Sequence, residues 1–348
     1  HPHIGTDRLP QVINAMRDKI IALGGEFYFN TRVTNLLVEA GCVKGVETEN
    51  VENGENQQFH GVAVLLATGH SATDIYEMLA KVAPSALEAK TFAAGVRVEH
   101  PRTLIDSIQY HGRGASSGLG AAEYRVTTQV DGRGVYSFCM CPGGFVVPSS
   151  SGPNEIVVNG MSAAARNSKW SNAAIVVEIR PEDIPVQFKL AAEKLACPQL
   201  AGLLFRTEIE HLTAENGKCQ VAPAQRLTDF LAGRISENLP ATSYTPGLVA
   251  SDLGRWLPSH ISERLKKGFV EIDRNMHGFI CPDALMIASE TRTSTPVRIL
   301  RNKESFECTE LKGLYPVGEG SGYSGGIVSS AMDGENACSH ITQVIKGQ

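Results

Sequence analysis

The sequence predicts an α/β part, built from both ends of the chain, and a mixed α+β part between them. The apolar run VAVLLATG, residues 62–69, is typical of a strand buried on both faces of a parallel sheet. Near the other end, GLYPVGEGSGYSGGIVSSAMDGENA, residues 313–337, predicts a short strand, a glycine-rich loop and a small-residue helix. Between them, short strands, glycine turns and a few helices predict an α+β domain.

The composition is that of an ordinary soluble globular protein. The chain has 348 residues, which favours two domains at roughly 100–200 residues each. It is 42% hydrophobic and 20% charged, and its formal net charge of -5 argues against non-specific nucleic-acid binding. No apolar run approaches the ~20 residues of a membrane span. We therefore expect neither nucleic acid nor membrane among its partners.

The cysteines are scattered through the chain, unlike the dense pattern of a small disulfide scaffold. Mostly reduced thiols and a cytoplasmic location are therefore expected. The chain begins HPHIGTD, without a methionine, and no signal peptide is visible. We accordingly expect a preceding segment in a longer parent protein.

The first helix is predicted to begin at Leu9, because apolar residues recur from there at helical spacing. Thr6 and Asp7 are the predicted N-cap residues, and Gly24 is expected to help end the helix. EFYFN, residues 26–30, is predicted as a short strand.

A three-part strand meander is predicted next. Its parts are RVTNLLVEAG, CVKGVETEN and QQFHGVAVLLATG, with turns at Ala40-Gly41 and in NVENGENQ. The segment GHSATDIYEMLAKV then predicts a capped helix.

Domain boundaries are predicted at residues 1–91, 92–283 and 284–348. The first and last ranges would form one discontinuous domain, and the middle range would be inserted into it. PEDIPVQFKLAAEKLA and DLGRWLPSHISERLKKGF are the clearest helices of the middle range. From ALMIASETRTSTPVRIL onward the chain returns to strands and glycine loops.

The glycine-rich end has the residues of a ligand-binding loop. Glycine lets the main chain turn sharply and lets a ligand approach it closely. The helix predicted from about Gly326 offers free N–H groups and a positive dipole end. Glu319 can accept hydrogen bonds from hydroxyl groups. A tight strand-helix turn whose glycines only ease packing is the alternative.

Together with VAVLLATG, this loop resembles the flavoproteins of the glutathione-reductase structural type, which have two dinucleotide-binding domains. The resemblance implies a partial FAD-binding Rossmann-like domain with an inserted mixed α+β substrate domain. In that family a strand ending Ala-Thr-Gly passes close to FAD, a later Gly-Asp binds the ribityl chain, and the next helix faces the flavin ring. The implied cofactor-binding residues are Val33, through its backbone at the adenine, Ala67, Thr68, Gly69, Gly318, Glu319, Gly325, Gly326 and Ile327.

A closer resemblance covers nearly the whole chain. HPHIGTDRLP, ATGHSATD, GVYSFCMCPGG, APAQRLTDFLAGR and ETRTSTPVRIL look like motifs of a bacterial group of uncharacterised FAD-dependent dehydrogenases. The N-terminal Gly-x-Gly-x-x-Gly element, which holds the FAD pyrophosphate, is not found. We therefore interpret the chain as a C-terminal portion. FAD is expected in the full-length parent, and weak or absent in this chain.

Cys139 and Cys141 are the first candidates for catalysis, because a Cys-x-Cys pair in a strand points to one face. Such thiols can exchange electrons with a flavin. Two buried, inert cysteines are the alternative. No metal site is expected, since no second pair of ligands accompanies the thiols.

Arg292 and His70 complete the catalytic candidates. Arg292 can hold an acidic substrate or balance the charge of reduced flavin, whereas an internal ion pair of Glu290 with an arginine is the alternative. His70 follows Ala-Thr-Gly and is a natural acid-base group near neutral pH.

The functional prediction is a fragment of an FAD-dependent oxidoreductase, a dehydrogenase that moves hydride or electrons between flavin and an unknown small-molecule substrate. The sequence leaves open whether a nicotinamide or another electron carrier is the redox partner. A non-catalytic binding module on a flavoprotein scaffold is one alternative. An RNA-modifying flavoenzyme is another, although the sequence lacks a basic stripe.

Overall fold

The computed structural model describes residues 3–112 and 118–347. It contains both helices and strands throughout, as predicted for a mixed α/β protein. The α-helices are α1 (Leu9–Ala22), α2 (Thr73–Val82), α3 (Arg102–Gln109), α4 (Val186–Lys194), α5 (Ala201–Glu215), α6 (Leu227–Ala232), α7 (Leu253–Trp256), α8 (Ser259–Asn275) and α9 (Ile327–Gly347). The strands are β1 (Thr31–Glu39), β2 (Cys42–Asn50), β3 (Asn56–His60), β4 (Val64–Leu66), β5 (Leu87–Ala89), β6 (Phe92–Pro101), β7 (Thr127–Val130), β8 (Arg133–Cys141), β9 (Phe145–Pro148), β10 (Val158–Met161), β11 (Trp170–Ile179), β12 (Ala222–Arg226), β13 (Leu248–Ala250), β14 (Leu285–Glu290), β15 (Val297–Ile299) and β16 (Leu314–Pro316).

The chain divides into two compact units. The large-sheet unit comprises residues 1–25, 93–179 and 206–293, and the glycine-loop unit comprises residues 26–92, 180–205 and 294–348. The first helix therefore clusters with the middle of the chain, whereas α4 clusters with the ends. These ranges reflect the contacts between residues in the fold. They differ from the domain boundaries predicted from the sequence, because residues 1–25 and 284–293 join the middle of the chain and residues 180–205 join its ends.

A seven-stranded mixed sheet forms the large-sheet unit. Its strand order is β13-β12-β14-β6-β11-β8-β7, and β12 pairs with β13 in parallel and with β14 antiparallel. Strand β14, predicted to begin the last part of the chain, lies in the middle of this sheet, between β12 and β6. The core of the large-sheet unit includes a cluster of buried apolar side chains: Val146, Ile156, Val158, Ala222, Ala224, Tyr244, Leu285 and Ile287. Helix α8 buries Leu265, Phe269 and Ile272, as its apolar spacing predicts. The single helix predicted over DLGRWLPSHISERLKKGF is wrong, because Leu257 and Pro258 separate α7 from α8.

Smaller sheets build the glycine-loop unit. Strands β1, β2 and β3 form an antiparallel meander, and Ala40 and Gly41 turn at positive φ, as predicted. The third predicted part, QQFHGVAVLLATG, is not one strand, because it divides into β3 and β4, and β4 belongs to a different sheet. Strand β4 pairs in parallel with β16, and β15 pairs antiparallel with β5. The parallel pairing joins two segments that are far apart in sequence, and it positions the glycine loop described below.

Several local predictions are wrong. Residues 26–30 form no strand, and neither Thr6 nor Asp7 caps α1. Instead, Thr6 Oγ1 donates to the carbonyl of Ser162, and Asp7 Oδ1 accepts from the Ala164 N–H, so both side chains fasten a neighbouring loop. Strand β4 is not buried on both faces, because Leu65 is 37% exposed. Apolar composition identified the strand but not the number of its covered faces.

Helix α1 has a continuous apolar stripe but no buried residue. The exposed apolar side chains of the helix are Ile13, Met16, Ile20 and Ile21, and Leu23 directly after it is exposed as well. Across the described part of the chain, no helix is both long and apolar enough to cross a membrane. The exposed stripe is therefore a surface feature of an amphipathic helix.

Candidate functional site

Two loops meet because β4 and β16 run in parallel. Leu314 pairs with Val64, and Pro316 pairs with Leu66, so both strands end at the same edge. Ala67, Thr68 and Gly69 follow β4, and Gly318 with Glu319 follows β16. The carboxyl edge of parallel strands is where α/β folds bind ligands.

The two loops touch through glycines. A Cβ on Gly320 would lie 2.5 Å from the carbonyl oxygen of Gly69, so no larger residue fits there without movement. The Tyr76 hydroxyl, buried in α2, donates to the carbonyl of Gly320 at 2.8 Å. These contacts fix the second loop against the first.

Gly318 has a backbone conformation that only glycine adopts readily. Its φ of 71° and ψ of -160° lie in a region closed to residues with a Cβ. Its N–H donates to Asp333 Oδ2 of α9 at 2.8 Å, and Asp333 also binds the Arg301 guanidinium through both carboxylate oxygens. Arg301 in turn donates to the carbonyl of Pro316 at 2.6 Å. The shape of the loop therefore depends on a buried ion pair that the sequence analysis did not identify.

Glu319 and His70 lie together at the strand ends. His70 Nδ1 is 2.9 Å from Glu319 Oε2, and Glu319 remains 31% exposed. The hydrogen bond with His70 lowers the pKa of Glu319, against the opposing effect of burial. The carboxylate is therefore ionised at neutral pH, with lone pairs available for a hydroxyl group.

The start of α9 presents an open, apolar surface. Gly325 has no neighbouring atom within reach of an added Cβ, and Gly326 approaches only the Ser329 hydroxyl. Ile327 and Val328 are 71% and 72% exposed. Apolar side chains at this exposure suit the edge of a flat aromatic ligand.

Val33 lies in β1 beside a surface groove of about 460 Å³. The register of β1 against β2 shifts between Val33 and Asn35, so main-chain groups there leave the regular ladder. The groove is lined by Arg32, Val33, Thr34, Asn35, Asp74, Glu77, Met78, Lys81 and Val82.

These features fit the ribityl and ring portion of FAD. Gly320 leaves no room for a side chain, Glu319 offers a hydroxyl acceptor, and the start of α9 offers apolar contact. Ala67 and Thr68 are exposed at the same edge. The assignment of these residues to FAD stays a prediction from the sequence.

Cys139 and Cys141 end β8 at a bulge. Phe138 pairs with Ala174 and Cys141 pairs with Asn172, so the β8 side contains one extra residue. Cys139 has a φ of 45° and is exposed, whereas Cys141 is buried. The expectation that strand alternation places both thiols on one face is wrong here, because the bulge breaks the alternation.

Arg97 connects this pair to a buried polar cluster. Its guanidinium donates to the Cys139 carbonyl, to Asn172 Oδ1 at 2.9 Å and to Glu290 Oε2 at 3.0 Å. It also lies 3.8 Å from Cys141 Sγ. A fully buried arginine inside the apolar strand FAAGVRVEHP is a signal that sequence reasoning missed.

Burial controls ionisation in this cluster. Burial raises the pKa of Glu290 to about 7, although the neighbouring Arg97 acts in the opposite direction. Burial would lower the pKa of Arg97, but Glu290 and the thiols outweigh it and hold that pKa above its usual value. A hydrogen bond with Cys139, together with burial, raises the pKa of the Cys141 thiol well above its usual value.

Arg292 belongs to a different network of the same unit. Its guanidinium binds Glu210 Oε2 and Glu155 Oε2, each at 2.8 Å, and also contacts Ser151. The internal ion pair considered as its alternative therefore exists with Glu210 and Glu155. Glu290, which the alternative named, pairs with Arg97 instead.

Two family models match the chain. A family model described as "FAD-dependent protein, C-terminal domain-like" matches residues 91–293, and one described as "FAD binding domain" matches residues 2–96. An uncharacterised protein of Clostridium beijerinckii is 41% identical over 346 residues. The match covers 98% of this chain and 62% of that protein, so the chain spans less than two thirds of this relative.

A solved structure with detectable similarity is "Mycobacterium smegmatis Sdh1 in complex with UQ1". It shares 15% identity, and the match covers 95% of this chain and 46% of that one, with a TM-score of 0.30. A superposition this poor does not define the fold.

The family models together define an FAD-dependent flavoprotein, and its cofactor is FAD. The chain belongs to the family whose model is described as "FAD-dependent protein, C-terminal domain-like".

Proposed function

We propose that this chain is the C-terminal portion of an FAD-dependent dehydrogenase of the glutathione-reductase structural type. In this proposal the glycine-loop unit holds part of the cofactor, and the large-sheet unit, which contains most of the predicted inserted range 92–283, supplies the substrate side. The observation that carries the proposal is the meeting of the Gly69 and Gly318 loops at one strand edge.

FAD, when bound, supplies the hydride or electron chemistry, and the protein supplies binding and orientation. Glu319 would accept hydrogen bonds from the ribityl hydroxyls, while His70 holds its carboxylate in place. Ile327 would contact the ring at the start of α9, and the backbone at Val33 would contact the adenine. Arg301 and Asp333 act as positioning residues for Gly318.

The Cys139 and Cys141 thiols are the proposed redox partners on the large-sheet unit. Oxidation of the pair to a disulfide releases two electrons and two protons, which matches the two-electron capacity of a flavin. The Arg97 guanidinium beside Cys141 favours a thiolate, but the hydrogen bond with Cys139 and burial outweigh it and keep Cys141 a thiol at neutral pH. The substrate and any nicotinamide partner are unassigned in this proposal.

Weak FAD binding by this chain alone is part of the proposal. The proposed residues lie at the ring portion of the cofactor, whereas the N-terminal Gly-x-Gly-x-x-Gly element that holds the pyrophosphate is not found. The same spacing at residues 320–325 lies in the loop after β16. The exposed apolar stripe of α1 supports a further protein segment beside it.

The test is a flavin absorbance spectrum of the full-length Clostridium beijerinckii relative and of this chain, both purified without added cofactor. We expect a yellow relative and a colourless chain. Stoichiometric FAD in the purified chain would contradict the weak-binding proposal. A relative that is colourless and cannot be reconstituted with FAD would overturn the proposed function.

A further inference from the structure

A separate pocket lies entirely within the glycine-loop unit, and none of the residues discussed above lines it. It is about 190 Å³ in volume and is bounded by β5, the start of β6, α4 and the start of α5. Its lining residues are Ala89, Lys90, Phe92, Pro181, Ile184, Lys189, Glu193, Pro198, Ala201, Gly202 and Pro296. The pocket is thus a distinct feature of the fold, and it requires its own explanation.

The walls of the pocket are largely apolar and rigid. Phe92, Ile184 and Pro296 are buried and form much of this surface. A Cβ on Gly202 would lie 3.0 Å from the Pro296 ring, so helix α5 packs there without a side chain. An apolar cavity of roughly 150 Å³ is large enough for benzene. The present pocket therefore accommodates a small aromatic or branched aliphatic group.

Lys90 places an amine in this apolar surrounding without a carboxylate partner. Its Nζ donates to the carbonyl of Thr91 at 3.2 Å, and it forms no ion pair with any residue that the structure describes. Burial lowers the pKa of Lys90, and the nearby Arg298 guanidinium adds to the effect. A bound anion would offset both costs.

The other charges beside the pocket belong to Lys189, Glu193 and Arg298. Arg298 pairs with Glu88 at 2.8 Å, and Glu193 is exposed on α4, where water solvates its carboxylate. Lys189 donates to the carbonyl of Glu182 at 3.1 Å and, like Lys90, keeps further N–H donors. Lys90 directly follows β5 and precedes the buried Phe92, so we assign the contact with the anion to Lys90.

We propose that this pocket binds a small carboxylate with an apolar body, whose carboxylate pairs with Lys90 while its apolar part lies against Phe92, Ile184 and Pro296. This proposal goes beyond the flavin chemistry, and it holds whether or not FAD is bound.

The test uses 4-fluorobenzoate as the probe and 4-fluorobenzyl alcohol as its neutral counterpart, with fluorine NMR titration of the chain without FAD. A charge-assisted hydrogen bond is worth about 1.5–3 kcal/mol, so the loss of Lys90 should weaken binding about tenfold or more. We expect Lys90→Met to lose this factor for the acid and to change the affinity for the alcohol by less than about twofold.

Controls locate the site. Lys44→Met removes an exposed lysine of β2 and should leave both affinities unchanged. Ala201→Leu fills the pocket and should weaken both probes; thermal melts check that each variant folds. No binding by the wild type, or equal acid affinity in Lys90→Met and Lys44→Met, would overturn the proposal. Unchanged binding in a folded Ala201→Leu variant would overturn it as well.

Discussion

At the scale of single residues, burial decides which side chains have unusual chemistry. Arg97 and Glu290 are both fully buried in the large-sheet unit, where they form an ion pair. Removing a carboxylate from water favours its protonated form unless the neighbouring cation compensates fully. Here burial outweighs the ion pair at Glu290, so this residue titrates near neutral pH.

The raised pKa of Glu290 predicts a pH-dependent stability. The folded state binds this proton up to about pH 7, whereas the unfolded carboxyl loses it near its ordinary value of 4.5. Stability therefore falls as pH rises between these values, by about 3 kcal/mol in total. We expect Glu290→Gln to remove this slope, measured by urea unfolding from pH 5 to pH 8. An unchanged slope would show that Glu290 does not titrate there.

The cysteine pair predicts a specific oxidation product. Cys139 is exposed, and the thiol of its near neighbour Cys141 donates to the Cys139 carbonyl at 3.4 Å, so mild oxidation should join the two residues in a disulfide. Peptide mapping by mass spectrometry should find this cross-link in the wild type and lose it in Cys139→Ser. Cys219→Ser, which removes another exposed thiol, is the control and should retain it. A wild type without the cross-link would support the inert-cysteine alternative.

At the scale of elements, the glycine loop is shaped by contacts on both sides. Gly320 faces the Gly69 carbonyl, while Gly318 is held by Asp333 from α9. The loop is therefore part of the packing of β4, β16 and α9. Its ligand-binding geometry and its stability should change together.

Gly320→Ala tests the close approach of the loops. The added Cβ would meet the Gly69 carbonyl at 2.5 Å, so we expect a loss of about 1–3 kcal/mol in the free energy of unfolding. Gly325→Ala adds the same atom in open space and should change stability by less than about 0.5 kcal/mol. Equal effects of both substitutions in denaturant unfolding would contradict the observed loop contact.

Asp333→Asn tests the support of the loop by α9. The asparagine keeps an acceptor for the Gly318 N–H but leaves the buried Arg301 without its anion, which should cost about 3 kcal/mol. Asp333→Ala removes the acceptor too and should cost more, as measured by urea unfolding. Glu335→Gln, exposed on the same helix, is the matched control and should remain near wild type. A neutral Asp333→Asn would mean that the ion pair does not stabilise the loop.

At the scale of the whole molecule, helix α1 leaves its apolar side exposed, although an amphipathic helix normally packs that side against the protein core. No residue of α1 is buried, although Met16 and Ile20 belong to its apolar stripe. Contiguous exposed apolar patches of soluble proteins commonly mark interaction surfaces. This chain should therefore associate with itself as its concentration rises.

The double substitution of Met16→Lys and Ile20→Lys should abolish this association. Because both side chains are exposed, the free energy of unfolding should change little. Sedimentation velocity at low and high micromolar concentration measures the association. A wild type that stays monomeric throughout would count against it.

Three features were predictable, because they are local properties of the chain. They are the apolar spacing of α1 and α8, the turn at Ala40-Gly41, and the small residues that follow both parallel strands. They identified the strand-loop-helix at residues 313–337 and the Ala67-Thr68-Gly69 strand end as one candidate site. Family resemblance supplied the cofactor, which the comparisons confirm as FAD.

Only the tertiary structure decided the partners of these elements. The pairing of β4 with β16, the burial of Arg97 with Glu290, and the pairing of Arg292 with Glu210 all join residues distant in sequence. The one-residue bulge in β8 leaves Cys139 exposed and Cys141 buried. Such outcomes depend on three-dimensional packing and desolvation, which a pattern of residue types along the chain does not contain.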